Sequence, residues 1–369
     1  MNSRSPVFYS ADAVRRVLNW PMVNEAVETA LKAVVATPTI QDDKQQAPPY
    51  SQSHVSQPAR SVTSANKEHS KMLLTMPAFV GNYRLTSNGM GDDSSAVSCS
   101  TLACKVVTSF RSNQLLQPPL PSISANILLF DPGTGELNAI MAGTDITTWR
   151  TVSASLVATK YLFFRRFGPH AERELAINVA IVGCGVQGQL HAAAMCANFK
   201  VNQLNLYNRT ESKAQQLANQ LEEQILKADN NCNAPNKVNI KVCSSAREAV
   251  QQVDVICVAT YSKEALIQAS DLRDKRSVHI NAVGAGEVHF GEVAADIYEE
   301  SLVYVDCMSN AEHELHGLPA PIVGELGAVI IGGSYPTEQA VTIFQSMGMA
   351  SEDACVAEAV QMALASCGK

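Results

Sequence analysis

Positive charge is in short supply in this chain. Lys and Arg number 28 against 35 Asp and Glu, a formal net charge of −7. No basic cluster offsets the deficit, which argues against a nucleic-acid surface. Long apolar runs are also missing. None approaches the roughly 20 residues that a membrane-crossing helix needs. The opening MNSRSPVFYS lacks the apolar stretch of a secretory signal. The ten cysteines form no C-x-x-C pair and no zinc spacing. Cys184, Cys257 and Cys307 sit in apolar runs and read as reduced core thiols. A cytoplasmic protein without a metal is the expectation. Charged residues make up only 17% against 46% apolar, a composition that builds packed cores rather than disordered chain. At 369 residues, two domains are expected.

What the chain does have is one glycine-rich stretch in a telling context. Ile177, Val179, Ile181 and Val182 form a β-branched run that meets Gly183, Gly185 and Gly188, and an alanine-rich helix follows. A second strand ends at Leu206-Tyr207, about 20 residues further on. This is the G-x-G-x-x-G fingerprint of a dinucleotide site with strand, helix and strand all in place. Gly183 makes the tight turn, Gly185 admits a pyrophosphate, and Gly188 lets the helix pack close to the sheet. The helix start, with Val186 and Gln187, offers unpaired N–H groups to phosphates. Where NAD sites carry an acid for the ribose hydroxyl, this chain has Asn208-Arg209-Thr210. A guanidinium and a hydroxyl suit a 2′-phosphate, so NADPH is expected, with NADH weaker. Thr210, Glu211 and Ser212 would equally well begin the next helix, and the two readings are compatible.

Taken in order, residues 10 to 36 read as helix broken at Trp20-Pro21. Residues 37 to 58 and 81 to 95 read as polar loops. Strands are expected at Arg60–Thr63, Lys71–Met76, Leu102–Val107 and Ala125–Phe130, the last turning at Asp131-Pro132-Gly133-Thr134-Gly135 into Leu137–Met141. A linking helix is expected from Thr147 to Tyr161. Further strands of the dinucleotide unit fall at Ile240–Val242, Asp254–Val258, His279–Val283 and Leu302–Val305. Beyond Gly327 the pattern reads as helix starting at Thr337. His313 and His316 would share one helical face, but no third ligand is evident and the spacing is not that of a zinc protease. His191, just after the glycine loop, reads as a capping or packing residue.

These pieces resemble the ornithine cyclodeaminase/mu-crystallin family. The matching segments are Met76-Pro77-Ala78-Phe79, Cys104-Lys105-Val106-Val107, Ile146-Thr147-Thr148-Trp149-Arg150-Thr151, Gly183–Gly188, Asn208-Arg209-Thr210, His279–Gly284, Glu325-Leu326-Gly327 and Phe344–Ala350. They run in order across nearly the whole chain. The resemblance implies an α/β fold, with a Rossmann-type NAD(P)-binding domain inserted into a discontinuous α+β substrate-binding and dimerisation domain. The expected boundaries are 146–321 for the former, and 1–145 with 322–369 for the latter. It further implies a homodimer and, as in the family's ketimine-reducing members, NADPH-dependent reduction of imino acids that bear a carboxylate.

The family's carboxylate ligands fall on Arg60, Lys105 and Arg150, and Val283 and Gly284 join the cofactor site. Chemistry supports the first set, because guanidinium binds carboxylate bidentately. Lys105 and Arg150 also sit in runs of apolar and small residues, where an unpaired charge is costly. Lys105 is the candidate to tune or supply the imine proton. The alternatives are an amino-acid dehydrogenase or cyclodeaminase, and an NADPH-dependent binder of a thyroid-hormone-like ligand whose pocket would need the loops at 37–58 and 81–98. One departure bears on cyclodeaminase chemistry. Gly286 stands where family cyclodeaminases carry an aspartate, and the neighbouring Glu287 is expected to point elsewhere.

Overall fold

The computed structural model describes residues 5–36, 53–86, 96–229, 238–272, 277–284 and 290–367 of the chain. It divides into two compact units, Met1–Ser153 with Gly348–Lys369, and Ala154–Met347.

The first unit opens with strand β1 (Val7–Tyr9) and helices α1 (Ala11–Val17) and α2 (Trp20–Ala36). The Ser10 hydroxyl caps α1 by accepting the Ala13 N–H at 3.2 Å. Pro21 is tolerated because it lies in the first turn of α2, where a missing N–H costs no helical bond. Then come β2 (His54–Ser56), β3 (Ser61–Ser64), β4 (Lys71–Thr86), β5 (Ala96–Phe110), β6 (Ile123–Phe130) and β7 (Leu137–Ala142). They form one sheet in the order β1-β7-β6-β5-β4-β2, with β3 also on β4. Only β1 pairs in parallel, along β7. Side chains alternate across a strand, so Thr101, Ala103, Lys105 and Val107 of β5 share its buried face. Strand geometry thus carries Lys105 into a core. Helix α3 (Thr144–Ala158) follows, and the division between units falls inside it.

The second unit alternates strand and helix: α4 (Ala171–Glu174), β8 (Ala176–Val182), α5 (Val186–Asn198), β9 (Lys200–Tyr207), α6 (Glu211–Asp229), β10 (Asn239–Val242), α7 (Ala246–Val250), β11 (Val255–Val258), β12 (Val278–Ala282), α8 (Ala295–Glu299), β13 (Leu302–Val305), α9 (Met308–Glu314), β14 (Ile322–Glu325), α10 (Leu326–Gly332) and β15 (Val341–Gln345). Eight parallel strands run β10-β9-β8-β11-β12-β15-β13-β14. β11, β12 and β15 are buried throughout, as a parallel sheet covered on both faces requires. The chain then returns to the first unit as α11 (Ala350–Cys367), which packs on α2, β4 and β5.

Five expectations change. The helix expected beyond Gly327 is instead α10, then β15, then α11. Val341-Thr342-Ile343-Phe344 is a short apolar run, and periodicity alone cannot tell such a buried strand from a helix. Because β14 and β15 lie in the parallel sheet, residues 322–347 group with the second unit, unlike the expected boundary. The loop expected from 81 is strand as far as Thr86, with Tyr83 and Leu85 buried by period two, and strand resumes at Ala96; residues 87–95 lie outside the described part. Of the loop at 37–58, His54–Ser56 is β2 and 37–52 lie outside it. Finally, α9 ends at Glu314, so His313 and His316 do not share a helix face. Among the described residues no group of His, Cys, Asp and Glu could hold a metal. No helix there is long and apolar enough to cross a membrane.

Candidate functional site

In the first unit, three cations and two carboxylates meet in the interior. Lys105 on β5 and Arg150 on α3 are almost wholly buried, as are Glu352 and Asp353 in the first turn of α11. Lys105 Nζ lies 2.5 Å from Asp353 Oδ2. Arg150 Nη1 lies 3.2 Å from Glu352 Oε2, and Arg150 Nε lies 3.4 Å from Asp353 Oδ1. Arg60, half-buried just before β3, donates through Nη2 to the Gly348 carbonyl at 3.3 Å.

Each member is held by its element. Trp149 stacks on Trp20 at 4.1 Å, and Ser153 donates to Asn24 at 2.7 Å, so two residues four apart tie α3 to α2 and leave Arg150 facing inward. Gly348 has a φ of +79°, and a Cβ there would strike the Arg150 guanidinium. A side chain at 348 would therefore displace the cation as well as strain the backbone. Glu352 also accepts the Met349 N–H at 3.2 Å, satisfying a donor at the helix start.

Electrostatics follow from burial. Burial pushes the Lys105 ammonium down to about 8, Asp353 opposes it, and Arg150 and Arg60 push it down further. Guanidinium and ammonium groups so placed suit a ligand carboxylate. Arg60, Lys105 and Arg150 come from separate elements, yet the fold gathers them. Glu352 and Asp353 were missed in the sequence. Two adjacent acids opening a helix rich in alanine were the available signal, since buried charge needs a partner.

In the second unit the glycine loop has the expected shape. Gly183 has a φ of +102°, and a Cβ there would lie 2.5 Å from the Ala259 carbonyl oxygen. At Gly188 a Cβ would strike the Gly183 carbonyl, whereas at Gly185 it would meet nothing within 4 Å. Gly185 opens α5 with no side-chain cap. An uncapped helix start with open space before it fits a pyrophosphate. Asn208 braces this loop: its Oδ1 accepts the Cys184 N–H at 3.0 Å, and its Nδ2 donates to the Thr210 carbonyl at 2.9 Å. Arg209 and Thr210 are exposed at the end of β9. Val186 is exposed and Gln187 half-buried at the start of α5.

After β12, the Val283 N–H donates to Val258 at 3.0 Å. Gly284 lies so close to the Glu292 carboxylate that a Cβ would strike it. Glu292 is buried and accepts the N–H of Thr260 at 2.8 Å and its hydroxyl. Burial pushes the Glu292 carboxyl up to about 7, opposed by the Thr260 hydrogen bonds. Gly183, Thr260 and Gly284 follow β8, β11 and β12, at the carboxyl ends of adjacent strands where doubly wound sheets bind ligands. His191 is a packing residue: both ring nitrogens are engaged, by Gln187 at 2.8 Å and Ser155 at 3.0 Å, and burial pushes it down to about 4. Cys184 is buried, and burial pushes its thiol up to about 12, so it is unreactive. Gly286 and Glu287 lie outside the described residues.

A sequence profile of the Ornithine cyclodeaminase/mu-crystallin family matches residues 21–367. The chain belongs to this family. Among its members, the ketimine reductase mu-crystallin of Rattus norvegicus is 30% identical over 362 residues, covering 97% of each chain. A Delta(1)-pyrroline-2-carboxylate reductase of Bacillus cereus is 29% identical over 270 residues, 70% of this chain and 75% of the relative. Among solved structures of similar fold is the Delta(1)-pyrroline-2-carboxylate reductase of Thermococcus litoralis in complex with NADH and L-proline. It has a TM-score of 0.74 and 26% identity, covering 98% of each chain. The ornithine cyclodeaminase/mu-crystallin fold, an α/β fold with one parallel and one mostly antiparallel sheet, is therefore the frame that carries both sets of residues.

Proposed function

We propose that this protein reduces cyclic imino acids that carry a carboxylate next to the C=N bond, using NADPH. The observation that carries the reading is the gathering of buried Lys105 and Arg150, with Arg60 half-buried, in one unit beside Glu352 and Asp353. Its relatives support the reaction class: they are named for ketimine and pyrroline-2-carboxylate reduction. The second unit is then the dinucleotide-binding domain, and the first the substrate-binding and dimerisation domain of a homodimer. Light scattering of the purified protein tests the dimer.

The dinucleotide would rest on Gly183, Gly185, Val186, Gln187 and Gly188, with Asn208, Arg209 and Thr210 at its 2′-phosphate and Val283 and Gly284 at the neighbouring strand ends. When bound, NADPH supplies hydride to the imine carbon. Arg150 and Arg60 grip the substrate carboxylate, which orients the ring. Lys105, as ammonium, gives a proton to the imine nitrogen and is recharged from solvent. An acid that titrates near 8 gives up its proton more readily than an ordinary lysine, which is what burial contributes. No step in reduction calls for a group to handle a second amine, in keeping with glycine at 286.

The test is NADPH oxidation with Delta(1)-pyrroline-2-carboxylate, with its six-membered analogue, and with the same rings lacking the carboxylate. The carboxylated rings should turn over and the others should not. Equal turnover of both kinds would remove the carboxylate grip. No turnover of any ring, or production of proline from ornithine at comparable rates, would sink the reading.

A further inference from the structure

We propose that Asp353 is a positioning residue for this reaction: it holds the Lys105 amine charged and aimed, and sets the Arg150 guanidinium beside it. The proposal rests on the role assigned to Lys105 above.

The geometry is specific. Asp353 reaches both cations, through Oδ2 to Lys105 and Oδ1 to Arg150. It is buried in the first turn of an 18-residue helix, so its backbone is fixed and its side chain has little freedom to wander. Lys105 stands on the buried face of β5, carried there by strand period alone. Four methylene groups still leave an amine free to point several ways, and a carboxylate at 2.5 Å removes that freedom.

Charge is the second part. The groups facing Lys105 are Asp353 on α11, Arg150 on α3, and Arg60 before β3. Burial and both guanidinium groups favour the neutral amine. Asp353 alone opposes them. Without it, three influences act in one direction, and a smaller share of the amine would enter the reaction charged with a proton to give. Glu352 makes a useful contrast. It touches Arg150 and the Met349 N–H.

Two variants and two readouts test this. Asp353→Asn keeps the shape and removes the charge. Asp353→Glu keeps the charge and moves it by one methylene. The amine is followed directly by carbon-13 NMR of labelled lysine, with the Lys105 signal assigned by Lys105→Arg. In Asp353→Asn the Lys105 titration should fall by about one pH unit or more, the usual effect of losing an adjacent opposite charge. The alkaline limb of kcat for imine reduction should move down with it. In Asp353→Glu the titration should stay near that of the unaltered protein, while kcat falls several-fold with KM little changed.

An unmoved Lys105 titration in folded Asp353→Asn would overturn the proposal. If Asp353→Asn does not fold, Asp353→Glu decides: unchanged kcat would overturn the aiming role, and an altered titration the charging role. A titration that shifts while the kcat limb stays still would instead remove Lys105 from the chemistry, a failure of the reaction reading rather than of the contact. The NMR readout needs no turnover, so the two failures are distinguishable.

Discussion

On the proposed reading, the two units would recognise charge by opposite means. The second presents backbone: an uncapped helix start, a glycine with open space before it, and a loop braced by Asn208. The first presents side chains: ions taken out of water and held by one another. Backbone recognition needs neighbouring residues and tolerates few side chains. Side-chain recognition needs partners from distant parts of the chain, and each partner depends on the others being present. A buried ion pair is costly to break because the survivor is left uncompensated, whereas a helix start keeps its N–H groups whatever binds.

The largest expected effect falls on the charged cluster. Lys105→Ala and Arg150→Ala should each lower turnover on the order of 10²–10⁴-fold, the span for losing a proton donor or an orienting contact. Their dissociation constants for NADPH should change little, as fluorescence titration would show. Arg150→Lys keeps the charge without the fork. It should fold normally, yet bind the carboxylated substrate poorly. Wild-type turnover in any of the three would dissolve the contrast between the units.

Glycine substitutions separate shape from recognition in the other unit. Gly188→Ala puts a methyl group onto the Gly183 carbonyl and should destabilise by on the order of 3 kcal/mol. Gly185→Ala meets nothing, so its melting temperature should match the parent while dinucleotide affinity falls. Equal losses of stability at both positions would mean that Gly185 serves packing.

Next in size is Arg209→Ala. A charge-assisted phosphate contact contributes roughly 1.5–3 kcal/mol, so the NADPH dissociation constant should rise about 10- to 100-fold. NADH binding should barely change. Equal loss for both cofactors would assign Arg209 to the fold.

The smallest effect concerns Glu292, a buried acid of the second unit. Its folded-state value lies near 7, above its ordinary 4.5. The folded protein therefore keeps a proton that the unfolded chain has released between those values. Stability from this group is complete below about 4.5 and is lost as pH climbs through about 7. Glu292→Gln should flatten that slope and, above pH 7, raise stability by about 1–3 kcal/mol. Thermal melts of the unliganded protein between pH 5 and 9 would show it. A variant as pH-dependent as its parent would locate the slope elsewhere.

Legibility followed the same division. The glycine loop, the strand before it and Asn208 to Thr210 lie within one short stretch, so their relation survives in the sequence alone. The strands of both sheets were recoverable where alternation or β-branching was strong. They failed at β1, β2 and β14, which are only three or four residues long, at β15, where a short apolar run is equally consistent with helix, and at the far end of β4, where Asn82 and Arg84 resemble a polar loop until Tyr83 and Leu85 turn inward. Arg60, Lys105 and Arg150 were identified through family resemblance, not through their spacing.

By itself the sequence determined the local features: a strand–glycine–helix unit shaped for a dinucleotide, an arginine in place of the acid that would prefer NAD, and basic residues in runs where lone charges are costly. Only the tertiary structure decided how those charges are balanced. Lys105 and Asp353 are 248 positions apart, and α11 reaches β5 only after the chain has built the entire parallel sheet. The physical reason is that the charge state of a buried amine is set by what lies within a few ångströms in space, and no local pattern records that distance.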